Sequence, residues 1–294
     1  MVSKSRYGIQ TKYGYNNIYH HIMNSKKFNL KQFDMKKMLT RDKTICICAR
    51  RNSGKSVLVR DIMYHHRTIP AAVVICPTEI DHNPFYSYHI PSGYIYRNFD
   101  STIVTKIFSR QRRIMQKMDS SKHIVPHLLF VMDDCAHDSK VWINDKGIRE
   151  IFTNGRHYKI LYVTCLQDPM VLKPFMRNNV DLVFLLRDNS RANVKRIFNA
   201  YGQVFDSFET FEHVFKACTK DYGCMVINNA SKSSNIEDIC FHYKAKLYSN
   251  HSFKLGCNAF WKYHKKHYDK DYSKMQEANV KNDGKKVRVS LQKS

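Results

Sequence analysis

The sequence has no run of the roughly eighteen apolar residues needed to cross a bilayer, and its opening MVSKSRYGIQ lacks the apolar core of a secretory signal. A soluble, intracellular protein is expected. None of the nine cysteines stands in CxxC spacing, and Cys46, Cys48, Cys76 and Cys165 lie inside apolar runs, which marks reduced core thiols rather than a zinc site. The histidine pairs His20–His21 and His65–His66, and the HKKH around Lys265, come without a carboxylate or cysteine set at ligand spacing. Internal repeats are absent. Acids are scarce as well: 25 against 49 lysines and arginines, a formal charge of +24, which favours a polyanionic partner, nucleic acid ahead of an anionic membrane surface. With 43% apolar residues in a chain of 294, global disorder is excluded, and one large domain with extensions is expected.

What is present centres on TICICARRNSGKSVLVR, Thr44 to Arg60. A β-rich run leads into a turn carrying Asn52, Ser53 and Gly54, and Lys55 and Ser56 then open a helical pattern with the i,i+4 pairs Leu58–Ile62 and Val59–Met63. Ala49, Arg50, Arg51, Asn52, Ser53, Gly54, Lys55 and Ser56 occupy the eight positions of the phosphate loop GxxxxGK[ST]. The physics of that pattern is a strand ending at a helix N-terminus, where unpaired N–H groups face phosphate oxygens. In this pattern Lys55 reaches the β- and γ-phosphates, and Ser56 holds Mg²⁺. Ala49 replaces the first glycine, so the chain there must manage with a negative φ or bear strain.

Short apolar runs recur through the chain: TICICA, AAVVICP, GYIYRNF, HLLFVMDD, KILYVTCLQ, DLVFLLRD, CMVINNA and ICFHYKA. Near-continuous apolar strands with helical spacers predict an α/β fold with a largely parallel sheet flanked by helices. The shorter spacers of the last strands point to an antiparallel addition. The expected organisation is an N-terminal extension over residues 1–40, a core over 41–248, and a basic C-terminal tail over 249–294 whose end is mobile. The first half of that tail contains FWKYHKKHY, rings interleaved with cations, which suits nucleic acid; a solvated helix with Trp261 docked on the core fits it equally.

The run HLLFVMDD delivers Asp133 and Asp134 to a strand's C-terminal end. Asp133 suits Mg²⁺, and Asp134 suits orienting or deprotonating a water. The next strand ends in Gln167, a neutral amide able to sense the γ-phosphate from the strand beside the phosphate loop. Arg156 and His157 sit in a turn opened by Asn154 and Gly155. Arg187 follows a strand, with Arg191, Lys195 and Arg196 in a helix after it. Arg156 and Arg187 are the candidate arginine fingers, acting on a neighbouring subunit, with Arg50 and Arg51 as the alternatives within one subunit.

These pieces together resemble the DNA-packaging ATPases of large nucleocytoplasmic DNA viruses, of the poxvirus and mimivirus type, within the FtsK-HerA superfamily of pumping motors. The likeness covers about residues 30–247 and rests on ARRNSGKS, LLFVMDDC, FTNGRHYKI leading to Gln167, VDLVFLLRDNSR and DICFHYKA. It implies a RecA-like P-loop ATPase core using ATP and Mg²⁺, assembled as a homo-oligomeric ring that moves double-stranded DNA into a capsid through a capsid or portal component. It also implies residence in the host cytoplasm or the virion. The alternatives are a helicase-like motor, a nucleotide kinase, or a non-catalytic DNA-binding scaffold. A two-core helicase needs a second core, a small-molecule kinase has no use for such positive charge, a GTPase wants an NKxD motif that is missing here, and a scaffold would be expected to lose Lys55 or the paired acids.

Overall fold

The computed structural model describes residues 28–79, 84–118 and 123–268. Each of the eight apolar runs forms a strand. In chain order the main elements are β1 (Thr44–Cys48), α1 (Lys55–His65), β2 (Ala71–Ile75), β3 (Ile95–Tyr96), α2 (Ser101–Met118), β4 (Leu128–Met132), α3 (Lys146–Asn154), β5 (Ile160–Leu166), β6 (Leu182–Leu186), α4 (Arg191–Tyr201), α5 (Phe208–Cys218), β7 (Gly223–Asn228), β8 (Cys240–Lys244) and α6 (Asn258–His267). Helix starts are fixed locally: Asp145, Ser190 and Ser207 accept N–H groups from the first turns of α3, α4 and α5.

The strands form one sheet in the order β3-β2-β4-β5-β1-β6-β7-β8. All neighbours from β3 to β6 pair in parallel, while β7 and β8 are antiparallel additions. Strands β1, β2, β4, β5 and β6 are buried along their whole length, as two covered faces require. Alternation splits their side chains between two cores. Cys46 and Cys48 join Phe130, Trp142, Tyr162 and Phe211 on the face covered by α2 to α5. Ile45 and Ile47 join Leu58, Ile62 and Met63 of α1 on the other. This is the fold of a P-loop NTPase, with β5 inserted between the strand that leads into the phosphate loop and the strand that ends in the acid pair.

The segments flanking the sheet belong to the second core. Phe33 is buried among Phe184, Phe241 and Tyr243, with ring centroids 5.5 to 6.0 Å away, and its N–H donates to the His242 carbonyl. After β8, Phe253, Leu255 and Phe260 are buried, and the Trp261 indole donates to the Leu255 carbonyl at 2.9 Å. His20, His21 and the tail beyond residue 268 lie outside the described residues. Seven cysteines are buried, including Cys46, Cys48, Cys76 and Cys165. Among the described residues no helix is long and apolar enough to cross a membrane.

Candidate nucleotide site

Because β1, β2, β4, β5 and β6 run in parallel, their C-terminal ends share one edge of the sheet, and the residues that follow them converge there. The loop after β1 leaves the sheet as Ala49 N–H donates to the Leu166 carbonyl at 2.9 Å. Ala49 is 4% exposed and is not among the residues with positive φ. The left-handed turns fall instead at Asn52, φ 61°, and Gly54, φ 99°. Asparagine tolerates that region and glycine prefers it, so the missing first glycine costs the loop nothing. The Ser53 hydroxyl donates to the Arg50 carbonyl at 2.7 Å and closes the turn. Gly54 then caps α1 with no side chain over its first N–H groups, which leaves those donors facing the edge.

Lys55 points into a cluster of acids. Its Nζ lies 2.8 Å from Asp133 Oδ1 and 3.4 Å from Asp134 Oδ1. Burial by itself pulls the ammonium's pKa down; the Cys165 sulfur, Asp133 and Asp134 outweigh it and hold Lys55 above the usual lysine range. Burial also pushes the Cys165 thiol well up, so that sulfur is neutral and the carboxylates are the working cause. The Gln167 amide donates to Asp134 Oδ1 at 2.6 Å. Asp134 is itself held at φ 59°, a backbone state that turns its carboxylate along the edge and that few residues besides asparagine and aspartate adopt readily.

Tyr86 completes this cluster. Its hydroxyl, on a residue 1% exposed, donates to Asp133 Oδ2 at 2.9 Å. Its place is set by Glu79, whose carboxylate accepts the N–H groups of Phe85, Tyr86 and Ser87 at 2.9 to 3.1 Å. Neither residue stands out in the sequence; an acid followed at short range by an aromatic after a buried strand is too common a pattern to mark them. Asp133 Oδ1 is buried and faces the Lys55 ammonium, and Ser56 is exposed at the start of α1. A hydroxyl and a carboxylate oxygen so placed are hard donors of the kind Mg²⁺ takes, so the residues present fit that ion.

The arginines divide between the two edges. Arg187 follows β6 at the phosphate-loop edge, exposed, with Nε donating to Asn189 at 3.0 Å. Arg50 reaches Asp188 at 3.3 Å, and Arg51 is exposed. Arg191 pairs with Glu212, and Arg196 makes two bonds to Asp168 at 2.7 and 2.8 Å. Arg156 precedes β5, so it stands at the opposite edge, paired with Asp181 at 2.7 Å. Within one subunit the length of the strands separates Arg156 from Lys55.

No family model matches the chain. It is 40% identical over 256 residues to protein L437 of Acanthamoeba polyphaga mimivirus, covering 86% of this chain and 88% of that protein. It is 34% identical over 216 residues to protein 088R of Invertebrate iridescent virus 3, covering 72% and 80%. The chain belongs to this family of large-DNA-virus proteins. The viral origin expected from the motifs is therefore the family's own. Among solved structures, the genome packaging NTPase B204 from Sulfolobus turreted icosahedral virus 2 in complex with AMPPCP is 15% identical, with a TM-score of 0.49 over 71% of this chain and 100% of that one. The pCW3 conjugation coupling protein TcpA with ATPγS is 11% identical, with a TM-score of 0.48 over 77% of this chain and 72% of that one.

Proposed function

We propose that the protein is an ATP-hydrolysing motor that moves double-stranded DNA into a preformed viral capsid. The observation that carries this reading is the meeting of Lys55, Asp133, Asp134 and Gln167 at the mouth of an uncapped phosphate loop. The phosphates of ATP take the N–H groups at the start of α1 and draw Lys55 away from the two carboxylates. Ser56 and Asp133 would hold Mg²⁺, which when bound screens the phosphate charge. Asp134, freed of Lys55, accepts a proton from the attacking water or orients it. Gln167 exchanges its bond to Asp134 for one to the γ-phosphate, so the presence of that phosphate is read at the end of β5.

The positive charge missing at the transition state is assigned to an arginine of a neighbouring subunit in a ring. Arg187 is the first candidate, because it is exposed at the edge where the loop lies; Arg156 requires a neighbour that presents its opposite edge. The net charge of +24 supplies contacts to DNA phosphates without base reading. A capsid or portal component completes the machine.

Displacement of a third strand from a DNA triplex tests translocation itself. The wild-type protein is expected to strip the third strand only with hydrolysable ATP, and Asp134→Asn to leave it in place. Hydrolysis without displacement in assembled rings would reduce the reading to an ATPase of another class. Mixing Asp134→Asn with Arg187→Ala subunits tests the finger: recovered turnover supports action between subunits, and verified mixed rings without turnover point back to Arg50 or Arg51.

A further inference from the structure

The phosphate loop lies between two unlike flanks. On one side β5 and β4 bring Gln167, Asp134 and Asp133, the groups that act on a terminal phosphate. On the other side stand β6 and β7. Tyr222, immediately before β7, leans over the loop: a Cβ added to Gly54 would lie 3.6 Å from its Cδ1, with Leu186 Cδ2 at 3.8 Å. The residue is 72% exposed, and among the described residues its ring makes no ring contact and its hydroxyl no hydrogen bond.

The backbone that presents this ring is unusual. Asp221 and Tyr222 both have positive φ, 49° and 61°, a conformation that a bulky aromatic rarely takes. The next residue explains how it is enforced. A Cβ on Gly223 would lie 2.4 Å from the Cys218 carbonyl oxygen and 3.0 Å from that of Lys220, so the chain folds back against the end of α5 and must turn left-handed before entering β7. Glycine at position 222 would relieve the strain, yet a tyrosine stands there with its ring in solvent. Strain kept for an exposed side chain suggests a use for that side chain.

A nucleotide whose γ-phosphate faces Asp134 and Gln167 and whose phosphates follow the loop must carry its base away from β5, towards β6 and β7. We infer that Tyr222 is the platform on which the base of the bound nucleotide stacks, with Leu186 completing the apolar floor beside Gly54. This rests on the nucleotide reading above and adds the subsite for the base. Stacking accepts the face of any purine, so the site binds ATP and GTP alike and takes its affinity from ring area rather than from base edges.

The test compares ligands with and without a base. Binding of ATP, GTP and inorganic tripolyphosphate is measured by calorimetry for the wild-type protein and for Tyr222→Phe, Tyr222→Ala and Tyr222→Gly. Loss of the ring in Tyr222→Ala and Tyr222→Gly is expected to weaken ATP and GTP roughly ten-fold, as the loss of one stacked base does, with tripolyphosphate unchanged. Tyr222→Phe keeps wild-type affinity for all three. Tyr222→Gly, whose backbone suits a positive φ, melts no lower than the wild type, so its loss of affinity is not a loss of fold. ATP binding that is indifferent to Tyr222, or that falls in step with tripolyphosphate, overturns the inference alone. A wild-type protein that binds neither ATP nor tripolyphosphate overturns the nucleotide reading and this inference with it.

Discussion

The two edges of the parallel sheet each carry a buried aspartate, Asp181 at one and Asp133 at the other, but in opposite circumstances. At the N-terminal edge Asp181 accepts the Thr44 N–H at 2.8 Å and meets Arg156 at 2.7 Å and Lys43 at 3.5 Å. Those partners come from two places in the chain, the start of β1 and the turn before β5, so the carboxylate, itself just before β6, ties the starts of β1, β5 and β6 together. At the C-terminal edge Asp133 and Asp134 share one ammonium, Lys55, and take side-chain bonds from Tyr86, Cys165 and Gln167. Among the described residues no backbone N–H is committed to either carboxylate. A carboxylate saturated by backbone and fixed cations serves the fold; in the proposed function, one held by a side chain that a phosphate can draw off serves chemistry.

Substitutions at the two edges should therefore separate turnover from stability. The largest effect is expected from Lys55→Ala, which removes the cation for the phosphates and lowers kcat/KM by about 10³-fold or more; near-normal turnover would dissolve the distinction between the edges. Asp134→Asn follows, with kcat reduced by about 10² to 10⁴ while ATP stays bound. Asparagine accepts the backbone at φ 59°, so its melting temperature should stay close to that of the wild type. Tyr86→Phe comes next: removing the hydroxyl that orients Asp133 should raise the Mg²⁺ concentration for half-maximal ATP binding by about ten-fold, read by titration with nucleotide present. An unchanged titration would make Tyr86 a packing residue only.

The N-terminal edge should answer in stability instead. Asp181→Ala leaves the Thr44 N–H without its side-chain acceptor and two cations unpaired, and should cost about 3 kcal/mol in denaturant unfolding, with turnover per folded molecule retained. His66, at the end of α1 and 5% exposed, adds a pH dependence there. Burial, followed by the nearby Arg41, His65 and His127, lowers it from 6.5 to about 4. The unfolded chain takes up that proton at a higher pH than the folded one, so stability present above about pH 6.5 is lost as the pH falls towards 4, up to about 3 kcal/mol. His66→Leu should flatten that slope, while the pH profile of turnover at the other edge keeps its form.

Much of this contrast was legible in the sequence, for a physical reason. Phosphate loop, acid pair and Gln167 each follow an apolar run, and in a parallel sheet every run ends at the same edge, so residues far apart in the chain are brought together by topology alone. All eight runs became strands, with the last two antiparallel as expected; a short spacer accounts for that only between β7 and β8, since α4 and α5 separate β6 from β7. What stayed hidden depends on side-chain reach or loop shape. Tyr86 meets Asp133 across 47 residues through a loop organised by Glu79, and Tyr222 leans on Gly54 because Gly223 forces a turn. Arg156 shares a motif with Gln167 yet belongs to the opposite edge, since it stands before its strand and Gln167 after it. The positive φ at Asn52, with Ala49 outside that region, likewise follows from the whole loop and not from one residue.

ATP hydrolysis measured with and without long double-stranded DNA tests the central claim most directly, because it asks whether the chemistry at one edge answers to the polyanion that the charge of +24 anticipates. DNA is expected to raise kcat in a salt-sensitive, sequence-independent manner, with the increase lost in Asp134→Asn. Turnover that ignores DNA in every assembly state would contradict a packaging motor.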